Sequence, residues 1–166
     1  MIELVPAGLP DAPVLAALHA RCFEDSWSEK GFRQLMEATG VEATLAHDSG
    51  EPLGFILIRI AADECEILSL GVVPTSRGQG TGSRLVERAA HRASERGART
   101  MFLEVNVNNT AAKRLYEKLG FREAGRRGGY YRSCDSLADA LILRRDLPIP
   151  AWESLDNSSS VKTERT

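Results

Sequence analysis

Arg77, Gly78, Gln79, Gly80, Thr81 and Gly82 form a glycine-punctuated run directly ahead of a helical pattern. Glycine lets a backbone turn tightly and bring its N–H groups close to a ligand, and the first turn of a helix leaves N–H groups without partners. Such donors, with a helix dipole behind them, suit phosphate oxygens. The run is not a triphosphate-binding loop, because Ser83-Arg84 stands where Lys and then Ser or Thr are required. Nor is it the dinucleotide fingerprint, since Ser83 or Leu85 occupies the third glycine position, depending on which glycine pair is taken first. What remains is Arg-x-x-Gly-x-Gly at Arg77, Gly80 and Gly82, a pattern that residue types alone assign equally to an anion site or to a plain connection.

Farther along, Glu104 lies in an apolar strand pattern, Asn109 precedes a helical one, and Tyr116 stands at helical spacing from Ala112 and Leu119. By type, Glu104 is a strand-end surface residue or an ion-pair partner, Asn109 a helix cap, and Tyr116 a core-edge ring. Cys22, Cys65 and Cys134 are odd in number and widely spaced, which gives neither a disulfide framework nor a metal-binding pair. His19, His47 and His91 are dispersed, so neither a metal-assisted reaction nor a histidine-based triad is supported, and no metal is expected.

These residues need elements to position them. Asp11 is placed to cap a helix reaching Cys22, with Leu15, Leu18 and Cys22 on one face. Ser26 and Glu29 have capping-box spacing for a second helix that buries Phe32, Leu35 and Met36. The connection between them, Phe23-Glu24-Asp25-Ser26-Trp27, carries two large aromatics that either line a groove or pack the corner. Strands are expected at 43–47, Leu53–Ile60 and Cys65–Val73, close enough for an antiparallel meander.

After the glycine turn, a helix over Gly82–Arg96 is followed by a strand over Thr100–Val105 and a helix over Thr110–Leu119, stopped at Gly120. Arg84, Arg88, Arg92 and Arg96 make a basic stripe on the first of these helices, with Arg84 placed to reach a phosphate near the turn. A closing strand over 138–145 follows an Arg/Gly/Tyr-rich loop or irregular hairpin. Strand-helix-strand order in the middle implies a right-handed crossover within a mixed sheet, bringing the glycine turn and the end of the 100–105 strand to one sheet edge.

The chain has 166 residues, 43% of them hydrophobic, enough for one α/β domain over about 1–150 with a polar tail over 151–166. With no leader segment and no apolar run of membrane-spanning length, a soluble cytoplasmic protein without membrane contact is expected. Residues 1–75 carry 12 acidic and 4 basic side chains, whereas 76–166 carry 11 acidic and 17 basic. Such a division suits a cationic substrate on one side and an anionic ligand on the other, or is plain solvated surface charge. The basic residues come without a nucleic-acid reading motif, so direct nucleic-acid recognition is not expected.

Taken in order, Leu70-Gly71-Val72-Val73-Pro74, the Arg77–Gly82 turn, Leu103-Glu104-Val105, Asn109-Thr110-Ala111-Ala112 and Leu115-Tyr116-Glu117-Lys118-Leu119-Gly120-Phe121 resemble the GCN5-related N-acetyltransferase (GNAT) superfamily. The resemblance covers residues 2–147 and is greatest to the bacterial branch that acetylates the N-terminal alanine of a ribosomal protein. It implies the GNAT fold, a central, mixed and strongly twisted sheet flanked by helices. It also implies acetyl-CoA as acyl donor, with CoA as product. The amides near Leu70 and Val72 would then hold the pantetheine arm and thioester carbonyl. Arg77, Gly78, Gln79, Gly80, Thr81, Gly82 and Ser83 would grip the pyrophosphate, and Asn109 would touch the cofactor arm from the other side.

By the same resemblance Glu104 is the catalytic base and Tyr116 the acid that protonates the departing thiolate. Trp27, Tyr130 and Tyr131 are the substrate-side aromatics, and the N-terminus of a small-subunit ribosomal protein is the partner of an otherwise monomeric or weakly dimeric enzyme. One departure falls on the substrate side: the family commonly has Pro immediately before Trp-Ser-Glu, where this chain has Ser26. The alternatives are an acetyltransferase for lysine side chains or small amines, and a CoA-binding regulatory module without transfer.

Overall fold

A computed structural model of the chain describes residues 1–133 and 136–148, with side chains described for 1–128 and 139–148. The readings made for the side chains of Tyr130 and Tyr131, for Cys134 and for the tail from 151 lie outside the described residues.

Strand β1 (Ile2–Ala7) is followed by helices α1 (Ala12–Cys22) and α2 (Glu29–Glu37), strands β2 (Val41–Asp48), β3 (Glu51–Ala61) and β4 (Glu64–Val72), and helix α3 (Thr81–Glu95). Strand β5 (Thr100–Asn106), helix α4 (Thr110–Lys118) and the hairpin of β6 (Arg122–Ser133) and β7 (Ser136–Asp146) complete the order. The strands lie side by side as β1-β2-β3-β4-β5-β7-β6. Only β4 and β5 are parallel, joined by α3 as the crossover, and the other neighbours are antiparallel.

Sequence patterning accounts for most of this. Strand β3 is buried on both faces at Phe55, Ile56, Leu57 and Ile58, as expected of a central strand with an uninterrupted apolar run. The sheet has a cluster on each side. Leu85, Val86 and Ala89 of α3 pack on Met101, Leu103 and Val105 of β5 with Tyr116 of α4. Leu15 and Leu18 of α1 and Phe32 of α2 pack on Leu45, Phe55 and Leu57 across the sheet. The glycine turn and the crossover thus sit on one face and the two N-terminal helices on the other.

Three local expectations are corrected. The cap of α2 is Ser28, whose Oγ accepts from Gly31 N at 3.0 Å, and not Ser26, because the helix starts only at Glu29. Asp11 makes no side-chain cap for α1; its Oδ2 accepts from Gly8 N at 2.8 Å and closes the short 3-10 turn Leu9–Asp11 instead. Arg84 does not face the glycine turn, since its Nη1 donates to Ile2 O at 3.0 Å and ties α3 to β1. Farther along the stripe, Arg92 and Arg96 share Glu42, at 3.3 Å and 2.7 Å. These pairs are half-exposed, so each is worth about 0.2–1 kcal/mol at most.

Candidate active site

The site begins with a separation between two strands. β4 and β5 pair only at Glu64↔Thr100, Cys65↔Met101 and Glu66↔Phe102, after which they part and leave a wedge toward their carboxyl ends. A bulge drives the parting: Leu57 faces Ser69 and Ile58 faces Ile67, so Leu68 is an extra residue on β4 that bends the strand. Val73 N–H bonds to Leu53 O at 2.8 Å. Because antiparallel bonding to one neighbour alternates along a strand, the amides of Leu70 and Val72 point away from β3, into the wedge. Val72 O lies on that side too and accepts from Arg77 Nε at 2.8 Å. That bond fastens the glycine turn to the strand end.

Past Arg77, Gly78 and Gly80 take φ of 80° and 84°. A Cβ at either would meet nothing within 4 Å, so backbone conformation and not crowding requires glycine there. Gly80 is the residue ahead of α3, and no side chain caps that helix, whereas Ser28 and Asn109 cap α2 and α4. The first bond in α3 runs from Arg84 N to Gly80 O at 3.0 Å. The amides of Thr81, Gly82 and Ser83 therefore precede the helical ladder and find no partner within it. Gly82 has a separate reason for its type: a Cβ there would lie 3.4 Å from Leu115 and 3.8 Å from Val72, where α3, α4 and β4 converge. The Thr81 hydroxyl is buried without a partner, the single side-chain atom of that kind among the described residues. Its position in the same turn fits a site whose donor set is completed by a bound anion.

On the opposite wall, Met101, Leu103 and Val105 of β5 are buried against α3 and α4. Alternation puts Glu104 on the other face of the sheet, the side that α1 and α2 cover farther along. Its carboxylate is about a quarter exposed and takes a 2.8 Å bond from Arg127 Nη1 of β6, which reaches across β7. Tyr116 lies on the α3/α4 face, 5% exposed, with its ring edge-on to Phe121 at 5.3 Å. Asn109 caps α4 by accepting from Ala112 N at 3.1 Å through Oδ1, which leaves its amide N–H groups for other partners. Glu104 and Tyr116 thus flank the wedge from opposite faces of the sheet.

Two participants escape a reading of residue types. Arg127 is a sheet neighbour of Glu104 only through the register of β6 and β7 on β5, and nothing local in the sequence announces that. His19 could have been found: it follows Leu15 by four residues on the buried stripe of α1. It is 3% exposed, its Nδ1 accepts from Trp27 N at 3.0 Å, and its ring stacks on Trp27 at 4.7 Å. Trp27 itself is half-buried between that ring and a groove of about 460 Å³ shared with Ser28, Gly31, Gln34, Leu35 and Ala38. Among the described residues no cluster of side chains could hold a metal ion, and no helix is long and apolar enough to cross a membrane.

The two described cysteines are not poised nucleophiles. Burial, with Glu42 and Glu66 adding to it, pushes the Cys65 thiol up to about 12. Burial also raises Cys22, against the pull of the neighbouring Arg77 and Arg21 guanidinium groups. Iodoacetamide at about pH 8, near the range where an ordinary thiol ionises, is expected to leave Cys65 unmodified in the folded protein and to label it once the chain is denatured. Peptide mass mapping reads this directly. Equal labelling of Cys65 before and after denaturation would contradict its burial beneath α3.

The profile of the Acetyltransferase (GNAT) family matches residues 12–121, a span that holds the split parallel pair and the uncapped helix behind the glycine turn. The chain belongs to that family and is an N-acetyltransferase. Among its relatives, the ribosomal protein bS18-alanine N-acetyltransferase of Escherichia coli K12 is 34% identical over 139 residues, covering 84% of this chain and 92% of that protein. The N-alpha-acetyltransferase RimI of Mycobacterium tuberculosis is 34% identical over 147 residues, covering 85% and 90%. The crystal structure of the E. coli ribosomal-protein-S18-alanine N-acetyltransferase superposes with a TM-score of 0.84 at 29% identity, over 91% of this chain and 97% of that one. The expected fold, a mixed sheet between two helical layers, is the one observed.

Proposed function

We propose that this enzyme transfers the acetyl group of acetyl-CoA to the N-terminal amine of a protein, and that the acceptor is the alanine end of a small-subunit ribosomal protein. The observation that carries the reading is the wedge: free amides of Leu70 and Val72 on one wall, Glu104 on the other, and the uncapped α3 amides at its mouth. Acetyl-CoA supplies an activated acyl group as a thioester. The turn from Arg77 through Ser83 holds its pyrophosphate, Asn109 contacts the arm from α4, and the amides of Leu70 and Val72 orient the thioester and stabilise charge developing on its oxygen.

An N-terminal amine has a pKa near 8, so much of it carries an extra proton at neutral pH. Glu104 removes that proton on the face where α1, α2 and Trp27 lie. Because its carboxylate already accepts from Arg127, the transfer runs most readily through a water held between carboxylate and amine. Tyr116, on the other face, donates a proton to the departing sulfur. Separation of the two roles by the sheet plane keeps the acceptor and the leaving group apart. Glu24 and Asp25, exposed on the connection beside Trp27, favour a cationic peptide end.

Acetyl-CoA turnover against a panel of peptides tests this, with mass localisation of the product. The expected result is acetylation at the free N-terminal alanine and little turnover of N-terminally blocked lysine peptides. Equal turnover of the blocked peptides would assign the enzyme to side-chain amines instead, and CoA binding without any transfer would make it a regulatory module.

A further inference from the structure

We propose that His19 is a positioning residue for the acceptor side of the reaction, holding the Phe23–Trp27 connection in shape through an Nδ1 that must carry no proton. The proposal rests on the N-acetyltransferase reading above, because it assigns that connection to the acceptor. His19 is the histidine buried in the interface between α1, α2 and the sheet. Its Nδ1 accepts the Trp27 backbone N–H at 3.0 Å, so the ring proton resides on Nε2. Its own carbonyl accepts from Phe23 N at 2.9 Å, so both ends of the connection are fastened to one residue.

The ring is packed as tightly as it is bonded. Trp27 stacks on it at 4.7 Å and 19°, and Phe23 lies at 4.5 Å. Phe32 of α2 and Phe55 of β3 approach at 5.6 and 5.9 Å. Phe55 leads to the wedge: a Cβ on Gly71 would come within 2.7 Å of its ring and 3.0 Å of Cys22 Sγ. Gly71 lies between Leu70 and Val72, whose amides face the wedge. One aromatic stack therefore connects the acceptor-side connection to the strand that presents the acyl group.

Protonation of Nδ1 would set two N–H groups against each other and place a charge inside this stack. Burial already holds the His19 ring below the ordinary imidazole range. Among the described residues no carboxylate is seen bonded to the ring. Around it, Arg21 and Cys22 belong to its own helix, Glu24 and Asp25 to the connection, and Glu29, Lys30 and Arg33 to α2. The charged members of this set are exposed, and Glu29 pairs with Arg33 at 2.7 Å. Phe55 and Gly71, from β3 and β4, carry no charge. With the folded value depressed, the unfolded chain binds more protons between the two values. The stabilisation is thus complete above about pH 6.5 and is lost as pH falls through the folded value.

Two substitutions separate the bond from the packing. His19→Asn keeps an acceptor at the Nδ1 position and does not titrate, whereas His19→Phe keeps a ring and removes the acceptor. His19→Phe is expected to raise KM for the alanine peptide by about tenfold, the effect of leaving a buried donor unsatisfied, with KM for acetyl-CoA unchanged. His19→Asn is expected to retain the wild-type KM near neutral pH and to lose the rise in peptide KM that the wild type shows as pH falls through the depressed His19 value. Hydrogen exchange at the Trp27 amide needs no substrate: protection in wild type and His19→Asn, and its loss in His19→Phe, support the proposal. Equal protection in all three, or a peptide KM in His19→Phe equal to wild type, would overturn it. Where a different amine proves to be the acceptor, the kinetic arm is read with that amine and the exchange arm is unchanged.

Discussion

Glu104→Gln is expected to lower kcat/KM for the alanine peptide by about 10²–10⁴-fold, the range over which a positioned general base acts, while leaving acetyl-CoA affinity unchanged. Glutamine has nearly the same shape and still accepts a bond from Arg127, so the wall of the wedge survives. Only the capacity to take up a proton is lost. The loss should diminish as pH rises through the range in which the amine deprotonates by itself, near 8, because at high pH the acceptor arrives without its extra proton. A pH profile of the variant against wild type reads this. A uniform loss at every pH would instead mean that Glu104 orients the peptide without taking its proton.

The second large effect is expected at the turn. Gly80 holds φ at 84° ahead of α3, a conformation that costs an ordinary L-residue about 1–2 kcal/mol and a β-branched one more. In Gly80→Val the backbone should leave that region and turn the first amides of α3 away from their common focus. A cost of this size weakens acetyl-CoA binding by about 5–30-fold, measured by calorimetry. Gly80→Asn is the control, since asparagine visits the left-handed region with less strain, and it should retain most of the affinity. A Cβ at this position meets no atom within 4 Å, so the difference between the two variants is expected to come from backbone strain. A Val variant of lower thermal stability but unchanged affinity would remove the turn from the binding site.

The parts of this site that were legible in the sequence are those fixed by local chemistry. The glycine turn, the helix behind it and the strand-helix-strand order are written in residue types and period, and α3, β5 and α4 begin and end within about two residues of their expected bounds, the usual uncertainty of such ends. Strand β1 is not announced by its residue pattern. It alternates Ile2, Glu3 and Leu4, but Pro6 interrupts the pattern, and a proline is tolerated there because β1 is an edge strand.

The wedge itself was out of reach. It depends on the bulge at Leu68 and on how far β5 follows β4, both of which are set by packing of distant elements on the two sheet faces. Arg127 meets Glu104 only because β7 lies between β5 and β6, a pairing order that the hairpin sequence does not encode locally. His19 is hidden for a different reason. Residue type points a histidine toward metal ligation or proton transfer, whereas its use here is as a backbone acceptor on a buried helix face.

A crystal structure of the enzyme with CoA tests the central claim most directly. The account predicts the pyrophosphate oxygens within hydrogen-bonding distance of the amides of Gly78–Ser83, and the sulfur in the wedge between Val72 and Glu104. A pyrophosphate bound away from that turn, or a sulfur directed out of the wedge, would contradict it.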